Sequence, residues 1–402
     1  MTSPVSTRGP VLVVHPSPDL YGADLQMLQT VVALVEQGRR VVVALPADGP
    51  LVARIRAVGA EVRFVAFPVL SKGQANAKGL PLLAVRAVAT LARGTQLLRE
   101  LQPEVLLVNT VTLPWWLLVG RLGRVPTVGY LHEAETDSRR IVRRALVLPL
   151  RLTHAVLVIS RAALAAMTDV EPALAERARL VYNGVPGPPT EPGPPPRGTP
   201  YRFVVVGRLS PRKAPDVALE AVALVRAHGH EVELEVAGTT FEGYEWYEDQ
   251  LRARAAEPDL AGAVTFSGYC SPIWPALERN HHVLAPSLRE PFGNAVVEAQ
   301  LAGRPVVAAA SLGHLESVTD GETGLLVPAG DAAAMAAAME RLVADPELAR
   351  RLADRARREA ERRFSVARYR REIVEVVDAV AEGRQAVGYR PAPPQTTSSP
   401  SL

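Results

Sequence analysis

Short runs of apolar, mostly β-branched residues alternate with longer amphipathic stretches along most of this chain. In the first half the runs lie at 11–15, 40–45, 62–67, 105–109, 127–131 and 155–159. Helical patterns separate some of them, at 24–37, 80–101 and 139–150. Several runs are apolar at every position, which is typical of strands covered on both faces of a sheet. The alternation predicts parallel strands joined by helices, and therefore a doubly wound α/β sheet.

The pattern stops at 185–200, where the sequence VPGPPTEPGPPPRGTP contains too much proline for a helix or a central strand. A second series of strand-like runs then follows, at 203–206, 232–236, 264–266, 283–285 and 305–308. We therefore predict two Rossmann-like domains joined by a linker. The predicted parts are a first domain at 1–184, the linker at 185–200, a second domain at 201–364, a helical segment at 365–388 and a disordered tail at 389–402.

Composition excludes several classes of protein. The chain has 402 residues and a net charge of +3, which is too small for a nucleic-acid-binding surface, so no nucleic-acid partner is expected. One cysteine, Cys270, excludes an internal disulfide framework and a cysteine-rich zinc site. The first residues lack the apolar core of a secretory signal, and no uncharged apolar run reaches the roughly 18–20 residues that span a bilayer. We expect a cytoplasmic protein.

Two basic amphipathic stretches, at 80–101 and 139–152, leave open a peripheral contact with the inner face of the membrane. The second, RRIVRRALVLPLRL, carries five arginines beside an apolar face. Basic amphipathic helices of this kind can bind anionic lipid surfaces. The alternative is an ordinary helix with its apolar face in the core and its charges in solvent.

Motifs that are missing narrow the chemistry. In open α/β sheets, ligands bind beyond the carboxyl ends of the strands. The fingerprint G-x-G-x-x-G does not follow the first strand, and neither the Walker motif nor D-x-D occurs. This counts against a nicotinamide dehydrogenase, a P-loop NTPase and a carboxylate pair that bridges a metal to a diphosphate. The histidine pairs at 228/230 and 281/282 lack a third ligand, so no metal site is predicted.

One candidate anion site follows the first strand of the second domain, in YRFVVVGRLSPRK. Gly207 ends the strand and permits close backbone approach, while Arg208 and Lys213 follow on the loop. Two cations beside such a glycine suit a phosphate or a diphosphate. The alternative is two ordinary surface cations.

A second candidate site lies in VLAPSLREPFGNAVVEAQLAGRPVV. A strand ends near Pro286, a Pro/Gly loop follows, and Asn294 is predicted as the N-cap of a helix. The backbone N–H groups at such a helix start can bind an anion. Glu290 precedes the turn and Glu298 lies in the helix, where carboxylates can accept hydrogen bonds from sugar or ribose hydroxyls. The alternative for Glu298 is a favourable position on the helix dipole.

Two further strand ends lie in the first domain. The run at 127–131 leads into His132-Glu133, and a histidine there can donate a hydrogen bond to a sugar hydroxyl or orient a substrate. The first strand ends in His15 and leads to the small-residue turn Tyr21-Gly22-Ala23 before a helix. Each of these also has a purely structural interpretation.

Several of these segments, taken in order, resemble glycosyltransferase family 4, the retaining GT-B enzymes that use nucleotide-sugar donors. REPFGNAVVEAQLAGRPVVA is similar to the family's E-x7-E signature, and VVVGRLSPRKAPDVALEAV to its G-R-x4-K loop. LVYNGV, EVAG, FSGY and SLGHLESVTDGETGLLVPAGD match in the same order. The resemblance is dense over 201–364 and looser in the first half, where HPSPDLYGADLQML has Tyr21-Gly22 in place of the family's glycine pair.

The resemblance implies a GT-B fold, in which two Rossmann-like domains face each other across a cleft, and a helix at about 365–382 that returns to the first domain. It also assigns roles. Arg208 and Lys213 would hold the donor diphosphate in place of a metal, so no cofactor is expected. The sugar and nucleotide contacts would come from Glu290 for the sugar hydroxyls, from the backbone amides of Phe292, Gly293 and Asn294 for the diphosphate, and from Glu298 for the ribose. His132 would lie across the cleft near the sugar, and Gly22 would allow close approach of the donor.

The implied activity is transfer of a hexose-type sugar, with retention, from a nucleotide diphosphate sugar to an acceptor hydroxyl. The acceptor would be a glycan, a lipid-linked molecule or a small molecule, in polysaccharide, glycolipid or other glycoconjugate biosynthesis. Two alternatives remain at the level of sequence. One is a GT-B nucleotide-sugar epimerase or hydrolase, and the other is a catalytically silent nucleotide-sugar-binding module.

Overall fold

Two parallel sheets, each flanked by helices, organise the chain. A computed structural model describes residues 9–70, 79–134, 136, 138–241 and 243–384. The predicted disordered tail at 389–402 and the last residues of the 365–388 segment lie outside this part of the chain. Two cores lie against the second sheet, and a larger one lies against the first.

The first sheet holds seven strands within the described residues, in the order β3-β2-β1-β4-β5-β6-β7, all parallel. The strands are β1 Val11–Val14, β2 Val41–Leu45, β3 Glu61–Phe64, β4 Val105–Val108, β5 Thr127–Leu131, β6 Ala155–Val158 and β7 Ala178–Leu180. The helices are α1 Gly22–Glu36, α2 Pro50–Ala57, α3 Gly79–Leu101, α4 Pro114–Gly123, α5 Arg140–Val147 and α6 Arg161–Val170. Five of the strands are buried at every residue, as their unbroken apolar sequences predict.

The second sheet has six described strands in the order β10-β9-β8-β11-β12-β13, again parallel. They are β8 Tyr201–Val206, β9 Val232–Ala237, β10 Val264–Phe266, β11 His282–Ala285, β12 Val306–Ala309 and β13 Leu325–Val327. The helices are α7 Pro215–Ala227, α8 Glu245–Ala255, α9 Trp274–Arg279, α10 Asn294–Leu301, α11 His314–Ser317, α12 Ala332–Ala344 and α13 Pro346–Arg363, followed by α14 Val366–Ala381.

The six strands of the second sheet have the same order as the first six strands of the first sheet, and this order determines where a ligand can bind. In each sheet the order reverses beside the first strand, between β1 and β4 and again between β8 and β11. The connections on the two sides of such a point leave in opposite directions, so a crevice opens beyond the carboxyl ends of the two strands. A ligand-binding site is therefore expected in the loops at the two switch points.

The last helix returns to the first domain. Ser365 caps α14, because its side chain accepts a hydrogen bond from Arg368 N–H, and this cap separates α14 from α13. α14 packs on α1, and Tyr369, Ile373 and Val377 belong to the core of the first domain. The chain therefore crosses between the two domains twice.

The prediction of α/β architecture with two Rossmann-like sheets is confirmed. The edge strands β7 and β13 were not predicted, because three residues are too few to show a periodic pattern. The equally short edge strand β10 was predicted, because its sequence VTF consists of β-branched and aromatic residues. The helix predicted at 139–150 ends as an α-helix at Val147 and continues as a 3-10 turn, Leu148–Leu152, around a proline. None of the described helices combines the length and the apolar character that a membrane span requires.

Candidate functional site

A cleft opens beyond the carboxyl ends of β8 and β11, at the switch point of the second sheet. Gly207 and Arg208 come directly after β8, and Lys213 lies further along the same loop. Glu290 and Gly293 lie on the loop that follows β11, and all five residues line this cleft. The fold thus brings half of the predicted site residues onto one concave surface.

Lys213 and Glu290 form an ion pair in the cleft. Their side chains are 21% and 11% exposed, so neither charge is fully solvated. Burial alone would raise the pKa of Glu290, but the nearby Lys213 ammonium outweighs burial and holds the pKa below its usual range. The carboxyl is therefore ionised, and the site contains a cation that an incoming anion can share or take over.

The backbone of Gly207 lies very close to that of Gly238, which follows the neighbouring strand β9. Gly207 has a φ of 143°, a conformation that residues with a side chain rarely adopt. A Cβ on the facing Gly238 would lie 1.8 Å from the Gly207 carbonyl oxygen. Glycine is therefore required on both strands for their backbones to approach this closely beside Arg208 and Lys213.

Helix α10 begins one residue earlier than an N-cap at Asn294 predicts. Asn294 is the first helical residue, and the N-cap is Gly293, with a φ of 97° that favours glycine. The prediction of Asn294 as the N-cap is therefore wrong. The Asn294 Oδ1 instead accepts a hydrogen bond from Asn183 Nδ2 at 3.0 Å, a contact with the first domain.

Phe292 faces away from the cleft. Its side chain is 2% exposed and packs against Tyr182 and Phe364, with ring centroids 6.0 and 5.4 Å apart. Of Phe292, only the backbone is available to a ligand, as the family resemblance implies. The aromatic ring serves to anchor the loop at the base of α10.

Glu298 lies inside α10, and its side-chain carboxyl has no hydrogen bond to any described residue. Burial raises the pKa of its carboxyl to about 7, although the Lys213 ammonium opposes the rise. A carboxyl with this pKa exchanges its proton near neutral pH. A ligand that donates hydroxyl hydrogens to it would favour the ionised form.

His314, which the sequence analysis did not single out as a site residue, also lines the cleft. Its Nδ1 bonds to the Ala309 carbonyl oxygen at 3.0 Å, so Nδ1 carries the proton and Nε2 is left as an acceptor. Burial lowers the pKa of His314 despite the nearby Glu290, which keeps the ring neutral. His314 follows the end of β12, and attention to every strand end would have found it.

The loop before α1 reaches the second domain from the opposite side. The Arg208 guanidinium stacks on the Tyr21 ring, 3.5 Å from its centroid. Gly22 lies beside Asn294, since a Cβ on Gly22 would be 3.4 Å from Asn294 Nδ2. Tyr269 Oη donates to the Leu20 carbonyl oxygen at 3.3 Å. The small-residue turn therefore closes over the donor side of the cleft.

His132 lies at the end of β5, on the first-domain side. Its ring packs on Tyr130 with centroids 4.1 Å apart, and its Nε2 bonds to Asn109 Oδ1 at 3.2 Å. Burial, with a smaller effect of His15, lowers the pKa of His132 to about 3. No contact with Arg208, Lys213 or Glu290 occurs among the described residues, so His132 stands apart from the other predicted site residues.

The two sides of the cleft nevertheless meet near His132. Thr136 Oγ1 accepts a hydrogen bond from Arg289 of the Glu290 loop at 2.9 Å. Glu133, next to His132, has a pKa raised by burial, and Thr110 Oγ1 lies 3.5 Å from its Oε1.

The ligand roles given to the ten predicted site residues, and the bounds given to the domains, stay predictions.

Two facing parallel sheets with a cleft between their switch points define the GT-B architecture. The family model described as Glycosyltransferase Family 4 matches residues 22–186, and the one described as Glycosyl transferases group 1 matches residues 191–359. Together the two models cover most of the chain, which therefore belongs to glycosyltransferase family 4.

Curated relatives match part of the chain. A D-inositol 3-phosphate glycosyltransferase of Thermomonospora curvata is 38% identical over 167 residues, which are 40% of this chain and 38% of that protein. The lipopolysaccharide core biosynthesis glycosyltransferase LpsE of Rhizobium meliloti is 37% identical over 150 residues, 37% of this chain and 42% of that protein. The chain thus matches less than half the length of each of these relatives.

Solved structures match nearly the whole chain. HepE of Anabaena, solved in complex with UDP and glucose, has a TM-score of 0.77 at 22% identity, over 92% of this chain and 100% of that one. The sucrose-phosphate synthase of Thermosynechococcus elongatus has a TM-score of 0.72 at 20% identity, over 94% and 100%. The expectation of a GT-B fold is confirmed.

Proposed function

We propose that this protein is a retaining glycosyltransferase that moves a hexose-type sugar from a nucleotide diphosphate sugar to an acceptor hydroxyl. The observation that carries the proposal is the cleft in which Gly207, Arg208, Lys213, Glu290 and Gly293 meet. A glycine that permits close backbone approach, two cations and the start of a helix offer an anion three kinds of group that bind phosphates well. The Anabaena neighbour was solved with UDP, which supports a nucleotide of this class.

The residues divide the chemistry between them. Arg208 and Lys213 bind the diphosphate and stabilise the negative charge that develops on the leaving nucleotide. Lys213 exchanges its pairing with Glu290 for one with phosphate, which frees the carboxylate to accept hydrogen bonds from the sugar hydroxyls. Glu298 accepts hydrogen bonds from the ribose. The positive charges of Arg208 and Lys213 take the place of a metal ion at the diphosphate, so we propose no cofactor.

The acceptor binds on the first-domain side, where the loops after β4 and β5 face the cleft. Relatives are named for an inositol phosphate and for the lipopolysaccharide core, and both offer hydroxyl groups. A glycan, a lipid-linked molecule or a small polyol therefore fits the proposal, in glycoconjugate biosynthesis. Enclosure of the sugar between the domains limits hydrolysis of the donor by water.

The first experiment measures thermal stabilisation of the purified protein by UDP, GDP, ADP and TDP without added metal and in EDTA. We expect one nucleotide to raise the melting temperature, and Lys213→Ala to abolish the rise. Arg252→Ala, which removes a surface cation paired with Glu248, is the matched control and should keep it. A folded protein that responds to none of the four contradicts the donor site and supports the silent-module alternative.

The second experiment separates transfer from the remaining alternative. The sugar nucleotide of the responding base is incubated with and without candidate acceptors, and the products are analysed by NMR. We expect turnover to need an acceptor and the product to keep the donor's anomeric configuration. Rapid conversion of the donor without any acceptor would instead identify an epimerase or a hydrolase.

We further propose that the protein is cytoplasmic and contacts the membrane through α5. Ile141, Val142 and Leu148 are 76%, 46% and 41% exposed, an unusual cluster of apolar side chains beside arginines. Some of the arginines are engaged elsewhere, since Arg143 pairs with Asp169. We therefore expect weak, salt-sensitive co-sedimentation with anionic vesicles, lost in Ile141→Ser. Equal sedimentation of the variant, or none at low salt, contradicts this contact.

A further inference from the structure

Four buried or partly buried polar side chains form one chain of hydrogen bonds behind the cleft. His132 Nε2 lies 3.2 Å from Asn109 Oδ1, Asn109 Nδ2 lies 2.9 Å from His15 Nδ1, and His15 Nε2 lies 2.7 Å from Asp24 Oδ1. His15 and Asn109 are each 1% exposed, and Asp24 is 4% exposed. Buried polar groups must find partners within the protein, so the direction of each hydrogen bond is constrained by the next.

The carboxylate at the far end sets that direction. Asp24 only accepts, and its Oδ2 already accepts the Tyr21 N–H at 2.8 Å. His15 therefore carries its proton on Nε2 and presents Nδ1 as an acceptor, which suits the Asn109 Nδ2 donor. Asn109 Oδ1 is then left to accept, so the proton of His132 is on Nε2. Every donor meets an acceptor when the hydrogens are assigned in this direction.

The free nitrogen of His132 follows from this assignment. The depressed pKa of His132 keeps the ring neutral at physiological pH, so Nδ1 has a lone pair and no proton. No described residue bonds to Nδ1, and the atom is not among the buried polar atoms that lack a partner. Packing of the ring on Tyr130 prevents an easy reorientation. His132 therefore has an unprotonated nitrogen that can accept a hydrogen bond, whereas its position at a strand end had suggested a donor.

We propose that Asp24, His15 and Asn109 are positioning residues that fix His132 as the Nε2–H tautomer, so that its Nδ1 accepts a hydrogen bond from a ligand hydroxyl. This inference rests on the proposed function for the identity of that ligand. The hydroxyl belongs either to the transferred sugar or to the acceptor, and both have the same chemistry towards Nδ1. Because Asp24 also holds the turn before Gly22, the network links the donor-side loop to His132.

The decisive variant is Asp24→Asn, which preserves shape and reverses the network. The asparagine Oδ1 can still accept the Tyr21 N–H, while its Nδ2 donates to His15 Nε2. His15 then carries its proton on Nδ1, the Asn109 amide turns over, and His132 becomes an Nδ1–H donor. Asp19→Asn is the matched control, because Asp19 is exposed and bonds only to nearby Ser17.

The primary readout is the 15N NMR spectrum of histidine-labelled, ligand-free protein, in which protonated and unprotonated ring nitrogens are well separated. We expect the proton of His132 on Nε2 in the native protein and in Asp19→Asn, and on Nδ1 in Asp24→Asn. A native His132 protonated on Nδ1, a doubly protonated His15 at pH 7.5, or an Asp24→Asn variant with an unchanged His132 would overturn the relay. None of these outcomes depends on any ligand.

The second readout identifies the hydroxyl. UDP and UDP-glucose are titrated into each variant, and transfer to the acceptor is then measured. We expect Asp24→Asn to leave UDP binding unchanged. A roughly 5- to 100-fold loss confined to UDP-glucose assigns the hydroxyl to the sugar, and a similar loss confined to transfer assigns it to the acceptor. Native activity with UDP-glucose and no loss in either measurement overturns the hydroxyl contact. Failure of the native protein to bind any of UDP, GDP, ADP and TDP counts against the proposed donor site and leaves the NMR result to decide the relay.

Discussion

Glu298 and Glu290 are carboxyl groups of one cleft with opposite protonation behaviour. Lys213 pairs directly with Glu290, so the Glu290 carboxyl stays charged, whereas the partly buried Glu298 carboxyl has no partner among the residues described. The Glu290 carboxylate can therefore accept hydrogen bonds from hydroxyl groups at all physiological pH values. The Glu298 carboxyl becomes a full acceptor only when it loses its proton.

This difference predicts a pH dependence of nucleotide binding. The pKa of Glu298 is about 7 in the free protein, and hydrogen bonds from the ribose favour the ionised form. The affinity for UDP should therefore rise with pH, and between pH 6 and 8 the ratio of native to Glu298→Gln affinity should grow about tenfold. Calorimetric titrations of both proteins measure it, and UDP's own titration cancels in the ratio. A ratio that stays constant would remove the ribose role of Glu298.

Tyr21 offers a second test at the level of one residue. Its ring supports the Arg208 guanidinium from one face and leaves the N–H groups at the edge free for phosphate. Tyr21→Ala should weaken UDP binding several-fold, because Arg208 then loses its fixed position, while Tyr21→Phe should stay within about twofold of the native affinity. If both variants bind equally well, the stacking does not organise the site.

Residue types and their order predicted the cleft because its groups follow strand ends directly. The topology fixes where each strand ends, and therefore approximately where a residue close to a strand end lies. Three charged residues of the cleft lie within seven residues of a strand: Arg208, Lys213 and Glu290. The network behind His132 could not be predicted in the same way. Its members lie at positions 15, 24, 109 and 132. No local sequence pattern indicates that four side chains so far apart in the chain form hydrogen bonds with one another.

At the scale of elements, strand β11 contains a feature that works against stability. His282 opens the strand, is 5% exposed, and neither ring nitrogen has a partner in the described structure. Burial, then His281 and Arg304, lowers its pKa to about 3. The unfolded chain protonates His282 more readily than the folded protein does. The free energy of unfolding is therefore unaffected by this group above about pH 6.5 and decreases as the pH falls below that value.

His282→Phe should therefore stabilise the protein, and more strongly in acid. The ring still packs between Tyr201 and Phe203, and no buried nitrogen remains unbonded. We expect a gain of about 1 kcal/mol at pH 7.5 and about 2 kcal/mol more at pH 5. Urea unfolding at both pH values measures the gain, with His228→Phe on the surface as control. A gain that does not change with pH would mean that His282 is not the titrating group.

Element boundaries followed from sequence where a chemical signal was present. α7 begins with a proline and α12 after an aspartate cap, which are both start signals that a sequence shows directly. The start of α10 did not follow in this way, because a glycine with positive φ can cap a helix without a side chain. The edge strands β7 and β13 pair on one side only, so their short sequences need little of the signal that central strands show.

At the scale of the whole molecule, one glutamate joins the two domains. Glu316 of the second domain accepts hydrogen bonds from the backbone N–H groups of Arg161 and Ala162, at 2.8 and 2.9 Å. These groups begin α6, so a carboxylate of one domain caps a helix of the other. The contact lies outside the cleft and stabilises the closed arrangement of the domains.

Glu316→Ala should separate the domains more often without disturbing either core. We expect a larger radius of gyration in small-angle X-ray scattering and a higher KM for the donor, with a loss of stability of about 1 kcal/mol. Glu322→Ala is the control, since Glu322 pairs with Arg355 inside the second domain. Identical scattering of the two variants would show that Glu316 does not control closure.

The return of α14 to the first domain has a consequence for how the protein is made. Tyr369 hydrogen-bonds to Thr30, a partner 339 residues earlier in the chain. At a translation rate of 5–20 residues per second, roughly 17–70 s pass between synthesis of these two residues. During that time the first domain lacks α14, so the face of α1 that α14 covers in the finished protein stays exposed on the nascent chain. The second domain can fold in the same period. The domain that is made first is therefore completed last, and the nascent chain needs shielding on that one helix face.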